Sequence, residues 1–191
     1  MRTHARVVVI GGGVVGVSTL YHLARKGWSD CMLVERKELT SGSTWHAAGL
    51  LPLFNMSYSV GQLHKYALEL YCTLEAETGL NPGLSQVSNI RLADNQDRMD
   101  EYMQYRGVAS TIGGDVEVLT PDQVIEIWPL AVKDGLIGAI RNPGDGYIQP
   151  ADLTQSLAKG ARDLGAEINR NTTVLSITRT AAGEWRVETD K

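Results

Sequence analysis

Cysteine is scarce in this chain of 191 residues, and blocks of like charge and long apolar runs are missing altogether. The two cysteines, Cys31 and Cys72, fall at a strand start and inside a helix pattern. They have no metal-type spacing and cannot build a disulfide framework, so no metal site is expected and the default compartment is a reducing one. Charged residues make up 21% of the chain with a formal net charge of −4, and no charge block points to nucleic acid. No stretch is long enough to span a bilayer. The apolar run near the amino terminus imitates a signal-peptide core, yet it holds three consecutive glycines and no small-residue cleavage site follows. A cytoplasmic protein without membrane insertion is expected. The 43% of hydrophobic residues is a globular composition.

What is present concentrates in the first fifty residues. The apolar strand pattern Arg6-Val7-Val8-Val9-Ile10 runs directly into Gly11-Gly12-Gly13-Val14-Val15-Gly16, which is G-x-G-x-x-G between a strand and a helix. Gly11 permits the tight turn, Gly13 lets backbone approach a pyrophosphate, and Gly16 lets helix and strand pack closely. The helix N-terminus at Val14 and Val15 then faces the phosphates. A second strand, Cys31-Met32-Leu33-Val34, ends at Glu35, about two dozen residues after the first glycine, where a carboxylate can accept ribose hydroxyls. An acidic residue there disfavours a 2′-phosphate, which leaves FAD and NAD.

The distance to the next parallel strand separates these two. An NAD-type unit crosses over through one helix and a few loop residues. Here the next buried strand behind a helix is Ala166-Glu167-Ile168, after a helix at Asp152 to Leu164, so an inserted second domain is expected between them. That arrangement suits a two-domain flavoprotein. The stretch Thr40 to Leu50 has no helical or strand period and leaves the carboxyl end of the second strand, where ligands bind in such sheets. It reads as a ligand loop: the hydroxyls of Ser43 and Thr44 can reach a pyrophosphate or ribityl chain, and Ala47, Ala48 and Gly49 let a planar ring lie close.

Further along, Leu63, Tyr66, Ala67, Leu70 and Leu74 predict an amphipathic helix from about Val60 to Thr78, ended by Gly79. Asn81-Pro82-Gly83 is a turn, Gln86 to Ala93 a strand, and Asn95 caps a helix whose Met99, Tyr102 and Met103 face a core. Thr120-Pro121-Asp122-Gln123 is a capping box for a short helix that stops before Pro129. Gly135 to Arg141 reads as a strand followed by turn chemistry at Asn142 to Gly146. The helix after it turns Leu153, Leu157, Ala161 and Leu164 inward and ends at Gly165. Thr172 to Thr178 and Glu184 to Thr189 form a hairpin.

The runs VVVIGGGVVGVSTLYHLARKGW and LVERKELTSGSTWHAAGLLPLFN resemble the dimethylglycine and sarcosine dehydrogenase family of FAD-dependent amine oxidoreductases, relatives of D-amino-acid oxidase. Asn89 to Ala93, Trp128-Pro129-Leu130 and Asp145 to Leu153 extend the likeness over nearly the whole chain. The resemblance implies an α/β fold, a Rossmann-like FAD-binding domain with a parallel sheet and a hairpin, interrupted by part of an α+β substrate domain. The expected bounds are 1–80 and 147–191 for the FAD-binding domain and 81–146 for the insert. It also implies that His46 is the point of covalent flavin attachment, through an imidazole nitrogen and the 8α-methyl carbon. Its cofactor contacts would be Gly11, Gly13, Val14, Val15, Gly16, Glu35, Arg36, Ser43, Thr44, His46, Ala48, Gly49 and Leu50, with Val174 meeting the adenine through its backbone. His4, His22 and His64 read as surface or packing residues.

The chemistry implied for the family is oxidation of an N-methyl amino acid, with hydride passing to flavin N5 and the iminium hydrolysing to formaldehyde and the demethylated amine. The partners are that small molecule and an electron-transfer acceptor or oxygen, with tetrahydrofolate only in a longer parent. Family members continue beyond the point matching Lys191, so a fragment is expected, with catalytic groups lying mostly past it; Arg91 is the candidate within the chain for the substrate carboxylate. Two other readings stand beside this one: a D-amino-acid or other secondary-amine dehydrogenase, and a dinucleotide-binding fragment or regulatory relative without turnover.

Overall fold

Val7–Ile10 is an unbroken apolar run rich in β-branched residues, the composition that fits a pleated strand, and it forms β1. The structure, a computed structural model, describes residues 2–191. After β1 come α1 (Val14–Arg25), β2 (Cys31–Val34), a 3-10 turn at Ser43–His46, β3 (Leu50–Leu51) and α2 (Tyr58–Thr78). Then follow β4 (Ser85–Gln86), β5 (Asn89–Ala93), α3 (Gln96–Thr111), β6 (Glu117–Leu119) and α4 (Pro121–Ile127). The chain continues through β7 (Gly138–Asn142), β8 (Gly146–Tyr147), α5 (Pro150–Asp163), β9 (Glu167–Asn169), β10 (Val174–Arg179) and β11 (Trp185–Thr189).

These elements form two compact units. The first comprises 1–49, 73–83 and 149–191. Its parallel sheet has the order β1-β2-β9, with Val7 opposite Cys31 and Leu33 opposite Ile168, so β2 is central and all four of its side chains are buried. On this sheet α1 and α5 pack together through Val17, Leu20, Tyr21 and Ala24 on one helix and Leu157, Ala158 and Ala161 on the other. The approach is close enough that a Cβ at Gly160 would lie 2.8 Å from the Tyr21 ring. The antiparallel hairpin β10-β11 completes the unit.

The second unit comprises 50–72 and 84–148. An antiparallel sheet in the order β5-β7-β6 carries α3 through a core of Ala93, Tyr102, Tyr105, Ala109, Val116 and Ile140. A smaller cluster of Leu119, Val124 and Ala139 seats α4, whose start is the expected capping box between Thr120 and Gln123. A second small sheet has the order β3-β8-β4.

The division differs from the bounds expected from sequence, and pairing explains why. Leu50 and Leu51 pair with Tyr147 and Gly146, which carries the chain after Gly49 into the second unit. The last turn of α2 belongs to the first unit, where Tyr21 donates its hydroxyl to Glu77 at 2.6 Å and Thr78 shares a buried 2.9 Å hydroxyl contact with Ser156. Individual faces also differ. Met103, Leu63, Tyr66 and Leu164 are exposed and Tyr105 fills the interior, while Leu70 and Leu74 are buried as the periodicity indicates. The expected strand at Gln86 to Ala93 is broken at Ser88, which takes a positive φ of 67° and donates its amide to the Asp145 carbonyl.

Candidate functional site

The glycine loop folds as a strand, turn and helix, and three of its glycines are fixed by different constraints. Gly11 has φ of +112°, a conformation that side-chain-bearing residues avoid. A Cβ at Gly16 would sit 2.0 Å from the Gly11 carbonyl oxygen, so only hydrogen fits where α1 crosses the end of β1. Gly12, which the sequence pattern does not single out, is as closely held: its added Cβ would meet Leu39 at 2.6 Å and Glu35 at 2.9 Å.

At the amino end of α1 the first helical hydrogen bond along the chain is from Val17 to the Gly13 carbonyl. The amides of Gly13, Val15 and Gly16 donate to no group among the described residues. Such amides, aligned with the helix dipole, form a ready site for phosphate oxygens. Gly13 leaves the approach open, since the one atom its Cβ would meet is Thr44 Oγ1, at 3.0 Å.

Glu35 is half-buried at the end of β2 and fastens the loop to the sheet. Its Oε2 accepts the Gly12 amide at 2.6 Å, and its Oε1 accepts the Lys37 amide at 2.8 Å. Each carboxylate oxygen keeps a second lone-pair direction, so the group retains capacity for ribose hydroxyls. Arg36 beside it is exposed. The Gly12 carbonyl is taken by the Thr40 amide at 2.9 Å, and Thr40 has φ of 70°. The sequence pattern places Thr40 at the start of the ligand loop but gives no sign of its bond to Gly12, because a backbone-to-backbone bond leaves no trace in residue type.

The stretch expected to be an irregular loop holds a 3-10 turn, Ser43–His46, too short to display a period. Ser43, Trp45, His46 and Ala48 are exposed, whereas Thr44 is buried and accepts the Val14 amide at 3.0 Å. The Trp45 and His46 rings lie 3.9 Å apart. His46 Nδ1 sits 3.1 Å from the Gly42 carbonyl oxygen. A carbonyl can only accept, so the hydrogen is on Nδ1 and the free lone pair of the neutral imidazole is on Nε2. Gly49 follows with φ of 73°.

The structure gathers Gly11, Gly13, Val14, Val15, Gly16, Glu35, Ser43, Thr44, His46 and Gly49 in the first unit, and Leu50 lies in the second. Val174 opens β10 opposite Thr189, at a bulge that offsets the pairing before Ser176. Arg91, on β5 in the second unit, stacks its guanidinium 4.1 Å from the centre of the Phe54 ring. Its Nε is buried without an acceptor among the described residues. No helix among the described residues is long and apolar enough to cross a membrane.

The acceptor-free amides, the cradle that any Cβ at Gly16 would fill, and the carboxylate of Glu35 together suit the diphosphate and ribose of FAD. A family model described as FAD dependent oxidoreductase matches residues 6–191. Mitochondrial dimethylglycine dehydrogenase of Rattus norvegicus is 40% identical over 188 residues, which cover 98% of this chain and 22% of that protein. Mitochondrial sarcosine dehydrogenase of Homo sapiens is 40% identical over 174 residues, covering 91% of this chain and 19% of its own length. Among solved structures, L-proline dehydrogenase from P. horikoshii aligns with a TM-score of 0.90 at 25% identity, over 100% of this chain and 50% of that one. The chain thus spans about a fifth of the length of these two dehydrogenases. With the family match running over residues 6–191, from the strand before the glycine loop to the last residue of the chain, this chain belongs to the family of FAD dependent oxidoreductases.

Proposed function

We propose that this chain is the FAD-gripping part of an enzyme that oxidises the N-methyl group of a secondary or tertiary amino acid of the dimethylglycine or sarcosine type. The observation that carries the reading is the combination within one unit of three amides without acceptors, the Glu35 carboxylate and an exposed imidazole held with its free nitrogen at Nε2. Its likeness at 40% identity to dimethylglycine and sarcosine dehydrogenases supports the substrate class.

In this reading Gly13, Val15 and Gly16 hold the diphosphate through their amides. Glu35 would accept the ribose hydroxyls, and the Val174 backbone would meet the adenine. Arg36, Ser43, Ala48, Gly49 and Leu50 complete the cofactor contacts. His46 is the covalent anchor, its Nε2 being the nucleophilic atom because Nδ1 is spent on Gly42. FAD bound there supplies the acceptor for a hydride from the N-methyl carbon, leaving an iminium that water splits into formaldehyde and the shortened amine. The substrate must arrive as the free amine, because a protonated nitrogen has no lone pair to expel the hydride. Arg91 would offer its guanidinium to the substrate carboxylate: its Nε is buried without a hydrogen-bond acceptor among the described residues, and its guanidinium lies over the Phe54 ring.

The test is made on the purified full-length protein. It should be yellow, its flavin should bleach under anaerobic mixing with sarcosine or dimethylglycine, and formaldehyde should be released in proportion. A colourless protein, or a flavin bleached by D-amino acids and by no N-methyl amino acid, contradicts the proposal.

A further inference from the structure

Thr44 is 7% exposed in a turn whose other residues face solvent. Its hydroxyl accepts the amide of Val14, the first residue of α1, across 30 positions of chain. The leading amides of a helix have no partner inside it, and a side chain at the N-cap normally supplies one. Here the N-cap is Gly13, which has no side chain to offer, and the cap is delivered from elsewhere. The substitution is sterically matched: a Cβ on Gly13 would come to 3.0 Å from Thr44 Oγ1 and crowd the hydroxyl out.

The same residue anchors the turn it belongs to. Its carbonyl accepts the Ala47 amide at 3.2 Å, and two positions on, the His46 ring is held by the Gly42 carbonyl at 3.1 Å. The turn therefore behaves as one block, with the buried hydroxyl of Thr44 as its link to the helix end that carries the acceptor-free amides. A hydroxyl can accept with one lone pair while its hydrogen points elsewhere, so the link leaves Thr44 a donor for a phosphate or ribityl oxygen.

We infer that Thr44 is a positioning residue, which sets the imidazole of His46 at a fixed distance from the phosphate-binding amides by capping α1 in place of its own N-cap. The functional consequence rests on the reading of His46 as the flavin anchor. Attachment would form a bond from Nε2 to the 8α-methyl carbon as that carbon loses a proton, with the two electrons left on the ring passing to dioxygen, and it requires Nε2 to lie within reach of that one carbon. A turn free to shift by about 1 Å loses on the order of a hundredfold in such a reaction.

The experiment uses the full-length protein prepared without FAD, beside its Thr44→Val and Thr44→Ser variants. Valine keeps the shape and removes the hydroxyl; serine keeps the hydroxyl and removes the methyl. Hydrogen exchange of the flavin-free protein reads the link itself: the Val14 amide and residues 43–47 should exchange faster in Thr44→Val and at the original rate in Thr44→Ser. After addition of saturating FAD, covalent attachment should be slowed roughly tenfold to a hundredfold by valine and restored by serine. Unchanged exchange and attachment in Thr44→Val overturn the inference, and so does an equal defect in both variants. Should the parent protein attach no flavin, the reading of His46 fails by itself, and exchange alone then decides on the link: faster exchange confined to the valine variant upholds it, equal exchange removes it.

Discussion

Gly16 is the position in the loop with the least freedom. The atom that would oppose a new methyl is the Gly11 carbonyl oxygen at 2.0 Å, which belongs to backbone and cannot rotate away. Gly16→Ala should therefore push α1 off the end of β1, costing about 1–3 kcal/mol or more in stability and most of the flavin content. Thermal melting and the ratio of flavin to protein absorbance check this; a melt and flavin content matching the parent would refute it. Glu35 is constrained differently, since its carboxylate accepts two backbone amides before any ligand is considered. Glu35→Ala should weaken FAD binding by about 1.5–3 kcal/mol, the range for hydrogen bonds to a charged group. Titration of a His46→Ala background, where any tether is removed, measures it, and equal affinity would take Glu35 out of the site. For Arg91, the expected result of Arg91→Ala is a KM for the amino acid raised roughly tenfold to a hundredfold with kcat changed much less, by the same energetic range. A KM that stays put would return Arg91 to a packing role beside Phe54.

At the level of elements, what the sequence disclosed depended on whether the signal was local. Asn95 accepts the Arg98 amide at 2.9 Å and Thr120 and Gln123 exchange their capping bonds, as residue type alone indicates, because a cap involves neighbours within three positions. Gly79 ends α2 with φ of 71° for the same local reason. Inward faces were less legible. Periodicity places Met103 with Tyr102 and Met99, yet Met103 is 42% exposed and Tyr105 is buried, because the facing sheet decides which flank of a stripe is covered. The short strand β6 and the 3-10 turn at Ser43 carry too few residues to show any period. One element contact makes a pH prediction. Tyr21 donates its hydroxyl to Glu77 and ties the end of α2 to α1, and together with the Thr73 hydroxyl one turn back on α2 it holds that carboxyl below its usual range. A depressed folded value contributes stability that is present above the ordinary carboxylate pKa and lost as pH falls through the lowered one. Glu77→Gln should accordingly flatten the acid limb of melting temperature against pH; an acid limb as steep as the parent's would dismiss the role.

For the whole molecule, the parallel register of β1, β2 and β9 follows from features the sequence displays: two apolar strands, a helix between them, and a late strand behind a second helix. The long excursion between β2 and β9 was legible as an inserted unit because no crossover needs that many residues. Its borders were not, since they depend on two-residue strands such as β3 pairing with β8 across more than ninety positions, which composition cannot show. The site divides along the same line. Glycines and Glu35 announce themselves by residue type and spacing and His46 only through the family resemblance, while the bonds around them, Gly12 to Glu35, Thr40 to Gly12 and Val14 to Thr44, draw on backbone groups that every residue has.

The central claim is that this glycine loop and its adjoining turn hold FAD with His46 as the anchor. The most direct measurement is mass spectrometry of the peptide containing His46 from proteolysed full-length protein, with fragmentation to place any adduct. The account predicts a flavin mass on the His46 ring in the parent and an unmodified peptide, with flavin released on denaturation, from His46→Ala. A flavin carried on another residue, or a parent peptide free of flavin while the protein is yellow, would contradict it.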